Sequence, residues 1–168
     1  MHAQQPKVLH KAIKPSNFLF SASGDFFKIK VSDFGLLDFS FSETGQMSLH
    51  NMIYTSPEIL LEKKEHTEKC DVYSFGICLW EIITATKPFS EFKEEKSFLQ
   101  SLSNNHRPAI PKNIPNNLRV LLESCWSANT CLRPSFSEID SSLLITSRFC
   151  FLFSNSFFTF DRFDKDCN

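Results

Sequence analysis

The hydrophobic and polar positions of this chain are organised around one stretch, Asp71–Phe89, which reads DVYSFGICLWEIITATKPF. From Val72 to Ile83 almost every position is apolar and Glu81 is the only charge, so a helix here has no polar stripe. Such a helix is either buried or spans a membrane. At about twelve residues it falls short of the roughly 20 that a bilayer requires, which predicts a buried rod. Gly76 at its middle costs about 1 kcal/mol relative to Ala and predicts close approach by another backbone segment. Pro88 is expected to end the helix, because the residue before a proline avoids the α region. Asp71 stands at the start, where an acid suits the helix dipole, and it needs donors if it is buried with the rod.

The pattern on either side is weaker but readable. Val8–Phe20 (VLHKAIKPSNFLF) predicts a turn at Lys14-Pro15-Ser16-Asn17 followed by a short apolar run, and Ser21–Asp25 is a turn signal. Phe26–Val31 alternates Phe27, Ile29 and Val31 with Lys28 and Lys30, the period of a half-buried strand, so the two runs predict a small hairpin. Ser32-Asp33-Phe34-Gly35 is a polar break, and Leu36–Thr55, rich in Ser and Thr and without sustained period, predicts a long loop. Pro57–Leu61 predicts a short helix with proline at its start, and Glu62–Lys69 a charged, exposed lead into the rod. Glu91–Leu102 is amphipathic through Phe92, Phe98, Leu99 and Leu102. Asn116–Trp126 repeats the pattern after a proline-bearing connector, His106–Pro115. Ser135 with Glu138 three residues later forms a capping box that opens a last helix. The sum is mainly α: one small β hairpin, then about five helices.

Composition changes this picture little. A length of 168 residues predicts one domain with a real core, and a net charge of −1 gives no argument for nucleic acid or an anionic membrane as a bulk partner. The unusual count is 19 Phe against 4 Gly. The six cysteines, Cys70, Cys78, Cys125, Cys131, Cys150 and Cys167, form no C-x-x-C pair and no zinc spacing, so they are expected as free thiols, most of them small core residues. Met1–Lys14 lacks the apolar region of a signal peptide, and a reducing, cytoplasmic setting is expected.

Short motifs add the chemistry. His10–Asn17 reads HKAIKPSN; then come Asp33-Phe34-Gly35, Ser56-Pro57-Glu58, the Asp71–Glu81 helix, and Cys125-Trp126 followed by Arg133-Pro134-Ser135-Phe136. In this order and spacing, over Val8 to about Leu144, the chain resembles the C-terminal lobe of a protein kinase, nearest the tyrosine-kinase-like group of Ser/Thr kinases. The resemblance implies a protein-kinase-like C-lobe that transfers phosphate from ATP to protein Ser or Thr with Mg²⁺. It places Asp33 and Asn17 at the positions of the metal ligands, two hard oxygen donors suited to Mg²⁺, and Lys14 where a loop lysine steadies the transferred phosphate. It gives structural roles to the rest: Glu58 and Arg133 as a partly buried ion pair, Asp71 as acceptor of backbone N–H groups from the His10–Ala12 turn, and His10 and Phe34 as packing residues. Ser40, Ser42, Thr44 and Ser48 sit where the family's activation loop is phosphorylated, and a merely solvated loop is an equal reading.

Three departures surround the site. The catalytic aspartate of the family's H-R-D loop is replaced by Ala12, whose methyl group cannot direct a hydroxyl proton, a service worth roughly 10²–10⁴ in rate. The preceding arginine is Lys11, which loses bidentate pairing. The Gly-Thr of the substrate-binding loop is His50-Asn51, so its threonine is missing. A larger one is that the Gly-rich phosphate loop and lysine of the N-lobe do not precede Val8. The N-lobe is therefore read as absent, and apolar area along the rod is expected to be open.

The domain is expected over residues 1–146, with 147–168 outside the family pattern. FCFLFSNSFFTFDRF in this tail holds seven of the 19 Phe. With about twelve uncharged residues it is too short to span a membrane, and it lacks the basic face of an interfacial anchor, so no membrane partner is expected. Read-through of a missed splice site is the preferred reading of the tail. The combined reading is a truncated, degenerate kinase domain with weak or no phosphotransfer and with proteins as partners. A non-catalytic signalling scaffold and the lower half of a longer active kinase are the alternatives.

Overall fold

The central apolar stretch is helix α3, Glu68–Thr84, in a computed structural model that describes residues 2–3, 8–23, 26–33 and 47–153. It starts earlier than the pattern predicts. Thr67 caps it, its hydroxyl accepting from Lys69 N at 3.3 Å, so Glu68 and Lys69 belong to the helix and Asp71 lies inside its first turn. Its end also differs: the helix stops at Thr84, where Ala85 adopts a left-handed conformation (φ 49°), before Pro88 is reached. The Thr84 hydroxyl donates to the Trp80 carbonyl at 2.8 Å, a local bond of the kind that competes with helix continuation.

Six α-helices and one antiparallel ribbon are found among the described residues. Strands β1 (Phe18–Ser23) and β2 (Phe26–Val31) pair from Phe18↔Val31 to Ser23↔Phe26, as the hairpin reading requires. The half-buried alternation is realised only in part among the described side chains: Val31 is half-buried, whereas Ile29 and its register partner Phe20 are 66% and 63% exposed. Two short helices follow, α1 (Leu49–Met52), inside the stretch predicted as loop, and α2 (Pro57–Leu60), with proline in its first turn. Beyond α3 come α4 (Glu95–Ser103), α5 (Asn116–Cys125) and α6 (Phe136–Phe153). The capping box at the head of α6 forms as predicted, with Ser135 N donating to Glu138 Oε2 at 2.7 Å and Glu138 N to Ser135 Oγ at 3.3 Å.

The core follows the rod. Tyr73, Ile77 and Trp80 of α3 pack with Phe98 and Leu102 of α4 and Leu122 of α5, while Val72 joins Leu121, Cys125 and Ile139 on the side of α6. At its C-terminal end the rod emerges: Ile82 is 64% exposed, so burial on every face does not extend to the last turn. Cys70, Cys78 and Cys125 are buried free thiols, and burial pushes that of Cys125 up to about 12; Cys131 is exposed.

Gly76 is the point of closest approach. A Cβ there would lie 2.7 Å from the Cβ of Cys125 on α5. Gly76→Ala is therefore expected to destabilise the fold by about 1–3 kcal/mol through overpacking, against the roughly 1 kcal/mol that Ala gains as a helix former. Removing the opposing atom as well, in Gly76→Ala/Cys125→Gly, relieves that clash. Thermal midpoints of both variants check this, and an unchanged midpoint for Gly76→Ala would refute it.

Candidate functional site

The loop from His10 to Asn17 is shaped by its own backbone and by one acid beneath it. Lys11 holds a left-handed conformation (φ 64°), strained for a side chain with a Cβ, and is kept there from below. Asp71 of α3, 2% exposed, accepts from His10 N through Oδ2 and from Lys11 N through Oδ1, both at 2.8 Å. The His2 ring nitrogen Nε2 also lies 2.8 Å from Asp71 Oδ2, and the ring packs edge-on against Phe136. His10 is buried, and its Nδ1 accepts from Ala12 N at 3.2 Å.

Pro15 then starts a single 3-10 turn, Pro15–Asn17, closed by Asn17 N donating to Lys14 O at 3.0 Å. Asn17 is buried and its side-chain Nδ2 donates to Ala12 O at 2.8 Å, folding the loop back on itself. The hairpin brings in the next residue. Because Phe18 pairs with Val31, the ladder continues as Ser32 N donating to Asn17 O at 2.9 Å, and Asp33 follows directly. Asp33 is exposed and left-handed (φ 62°), a region that Asp tolerates better than most residues. The strand register thus sets Asn17 opposite Ser32, with Asp33, 16 positions from Asn17 in sequence, as the next residue. Phe34, together with Ser40, Ser42 and Thr44, lies outside the described residues.

Lys14 extends from this loop to the next segment, its Nζ donating to Asn51 Oδ1 at 3.1 Å. Position 51 lacks the threonine of the family's substrate-binding loop. The structure shows that Asn51 supplies a side-chain oxygen there, while its own carbonyl accepts from Thr55 Oγ1 at 3.0 Å. The signal was available, since Asn carries an acceptor as Thr does. Tyr54 makes a further link that the sequence did not signal: its hydroxyl donates to Glu81 Oε2 at 2.6 Å, fixing the segment to α3. Burial first, and then Glu81, push the Tyr54 phenol far above its usual range, so it stays a donor.

Ala12 lies between these groups and carries only a methyl. Its backbone is fully used, N toward His10 and O toward Asn17, while its side chain offers no acceptor.

The first turn of α3 serves a second cluster. Arg133, 1% exposed, donates to both carboxylate oxygens of Glu58, at 2.7 and 2.9 Å. Its remaining donors reach Lys69 O and Ser127 O at 2.9 Å, and its guanidinium lies over the Tyr73 ring. Cys70 Sγ, adjacent to Asp71, adds a contact to Glu58 Oε1 at 3.3 Å. Burial alone would raise the Glu58 carboxyl, but the hydrogen bonds and charge of Arg133 outweigh it and hold the group at about 2. One helical turn therefore anchors both the His10–Asn17 loop, through Asp71, and the Glu58–Arg133 pair, through Lys69 and Cys70.

Residues 1–143 match a profile of the family described as protein tyrosine and serine/threonine kinase. This chain belongs to that kinase family. Among its relatives are the dual specificity protein kinase shkC of Dictyostelium discoideum, 37% identical over 85% of this chain, and the human mitogen-activated protein kinase kinase kinase 7, 37% identical over 83%. The kinase chain spans 28% of the length of the first and 23% of the second. Kinases of this family use ATP and Mg²⁺ and act on proteins. Among the described residues, no helix is long and apolar enough to cross a membrane, and no cluster of three or more His, Cys, Asp or Glu could hold a metal.

Proposed function

We propose that this chain is the C-terminal lobe of a kinase domain of the tyrosine-kinase-like, Ser/Thr-directed branch, degenerate at its catalytic position and impaired in phosphotransfer. In this reading residues 1–146 form the domain, residues 147–168 lie outside it, and the protein acts in the cytoplasm. The observation that carries it is Ala12: in a loop whose backbone is otherwise held in place, the residue facing the site has no group to orient a hydroxyl.

The neighbouring residues fit a nucleotide–metal group in part. Asn17 and Asp33 offer an amide oxygen and a carboxylate at adjacent strand-end positions, the hard donors Mg²⁺ prefers, and Asn17 Nδ2 is committed to Ala12 O, which directs its other atom elsewhere. ATP with Mg²⁺ would supply the phosphoryl group and neutralise its charge. Lys14, poised by Asn51, carries the positive charge that would steady the phosphate. His10, Phe34, Glu58, Asp71 and Arg133 belong to the supporting frame. That frame is independent of Ala12: the Glu58–Arg133 pair and the Asp71 bonds to the loop backbone persist without a catalytic acid. This favours a second reading, a scaffold that docks signalling proteins.

The test is radiolabel transfer from ATP to a generic protein substrate with Mg²⁺. The chain is expected to give no more transfer than an Asp33→Ala control. Robust Mg²⁺-dependent labelling that disappears in the control would overturn the reading.

A further inference from the structure

A cavity of about 310 Å³ opens between α2, the end of α4 and the turn that follows α5, and no residue of the His10–Asn17 loop lines it. Leu61 and Leu102 give it apolar lining, and Arg107, Asn129 and Thr130 polar lining. Two acids line it as well, and each is already paired: Glu58 with Arg133 at 2.7 Å, and Glu62 with Lys64. Lys63 and Glu65, on either side of Lys64 in sequence, are exposed and of opposite charge. Arg107 is the cation left over, and among the described residues no carboxylate pairs with it.

Arg107 is held by groups that do not neutralise it. Nε donates to Trp126 O at 3.0 Å and Nη1 to His106 O at 2.7 Å, and the guanidinium lies 5.3 Å from the centre of the buried Tyr73 ring. The bond to Trp126, the residue that ends α5, is a structural role, but it occupies Nε alone. Nη2 meets no acceptor among the described residues and keeps its donors for a ligand. A guanidinium already fixed against a buried ring has little side-chain entropy left to lose on binding. Asn129 adds to the donor set: its Oδ1 accepts from Cys131 N at 3.0 Å, so its NH₂ remains, and the Thr130 hydroxyl is a further donor.

Charge and size define the occupant. One unbalanced cation matches a monoanion, whereas a phosphate group carries about −1.5 to −2 at neutral pH and would set its excess charge against Glu58 and Glu62. The volume stands at the lower end of the roughly 300–1,000 Å³ of small-molecule sites, and Leu61 and Leu102 suit a short apolar body. We infer that this cavity binds a short aliphatic carboxylate, as a free acid or as the C-terminal residue of a peptide, on the Arg107 guanidinium. The binding requires neither nucleotide nor phosphotransfer, so its failure would leave the kinase reading untouched.

The experiment is ligand-observed NMR titration of the full chain with isocaproate, its uncharged amide and inorganic phosphate. Saturable millimolar binding is expected for isocaproate alone. Asn129→Asp keeps an acceptor for Cys131 N while adding a carboxylate to the lining, and should weaken isocaproate by about tenfold. Asn113→Asp, the same change in charge at an exposed position outside the cavity, should leave affinity unchanged. Arg107→Gln should abolish binding. Competition by an acetylated tripeptide ending in a free Leu carboxylate, and none by its amidated form, assigns the site to chain ends; no competition by either assigns it to free acids. Absence of saturable binding, equal binding of isocaproate and its amide, equal binding of phosphate, competition by the amidated peptide, or equal weakening by the two Asn→Asp variants would each overturn the inference.

Discussion

Arg133→Ala is expected to destabilise the protein by about 3–5 kcal/mol, enough to unfold a marginal domain at ordinary temperature. The loss is large because the carboxylate left behind is Glu58, itself buried, with the Cys70 thiol and its own backbone N–H beside it but no charge to balance it. Two further carbonyls, of Lys69 and Ser127, lose their donor in the same step. Replacing both partners with apolar residues, Arg133→Met/Glu58→Leu, should recover part of the stability by removing the uncompensated charge, but not all, since those carbonyls stay unsatisfied. Acid should reproduce the effect reversibly. Glu58 titrates at about 2 when folded, below its ordinary 4.5, so it stabilises the fold fully above about 4.5 and loses that contribution as pH falls toward 2. The difference corresponds to on the order of 3 kcal/mol. Denaturant unfolding between neutral and acid pH measures it. Glu58→Gln should be less stable at neutral pH and lack this component of the acid slope. An identical slope in the variant would refute the assignment.

Asp71→Ala is expected to act on the site loop and on the fold together. Two backbone N–H groups, of His10 and Lys11, lose a charged acceptor, each at about 1–3 kcal/mol, and His2 loses its partner. The left-handed strain at Lys11 is then no longer held, so the loop should relax. The expected result is a thermal midpoint lowered by several degrees, together with faster cleavage after Lys11 by a lysine-specific protease under native conditions. Asp71→Asn should lie between, because its single amide oxygen can serve one of the donors while its NH₂ opposes the other. If Asp71→Ala lowered the midpoint and left cleavage after Lys11 unchanged, the acid would be a packing residue and not the anchor of the loop.

What could be read in advance depended on whether a feature was local. The hairpin, the proline-led α2 and the capping box at Ser135–Glu138 rest on neighbouring residues, and the chain spells them out. Helix boundaries did not follow so simply. Pro88 looked like the stop for α3, but left-handed Ala85 and the Thr84 hydroxyl end it sooner, a backbone choice that composition does not encode. Ile29 carried the alternation of a half-buried strand, yet burial requires a second layer, and the period of a strand does not say which of its residues that layer reaches. At the site, residue types pointed to Lys14, Asn17 and Asp33 only through their place among the motifs. The placing of Asn17 across from Ser32, next to Asp33, depends on the ladder from Phe18↔Val31 to the Ser32–Asn17 bond, which is tertiary information. Tyr54–Glu81 and Lys14–Asn51 are separated by 27 and 37 positions and carry no periodic mark at all.

The ribbon that sets Asn17 beside Asp33 has a consequence for motion. Two paired strands with an exposed apolar face are marginal by themselves, whereas α3 is enclosed by α4, α5 and α6. Native-state hydrogen exchange should therefore proceed in two tiers, with β1 and β2 amides opening through small local fluctuations and those of Tyr73 and Ile77 only through global unfolding. Asp71 sits on the slow tier and Asp33 beside the fast one. The site straddles that boundary, so whatever covers the ribbon would order Asn17 and Asp33 without any rearrangement of the helices, and ligand affinity there would rise with the closed fraction of the hairpin.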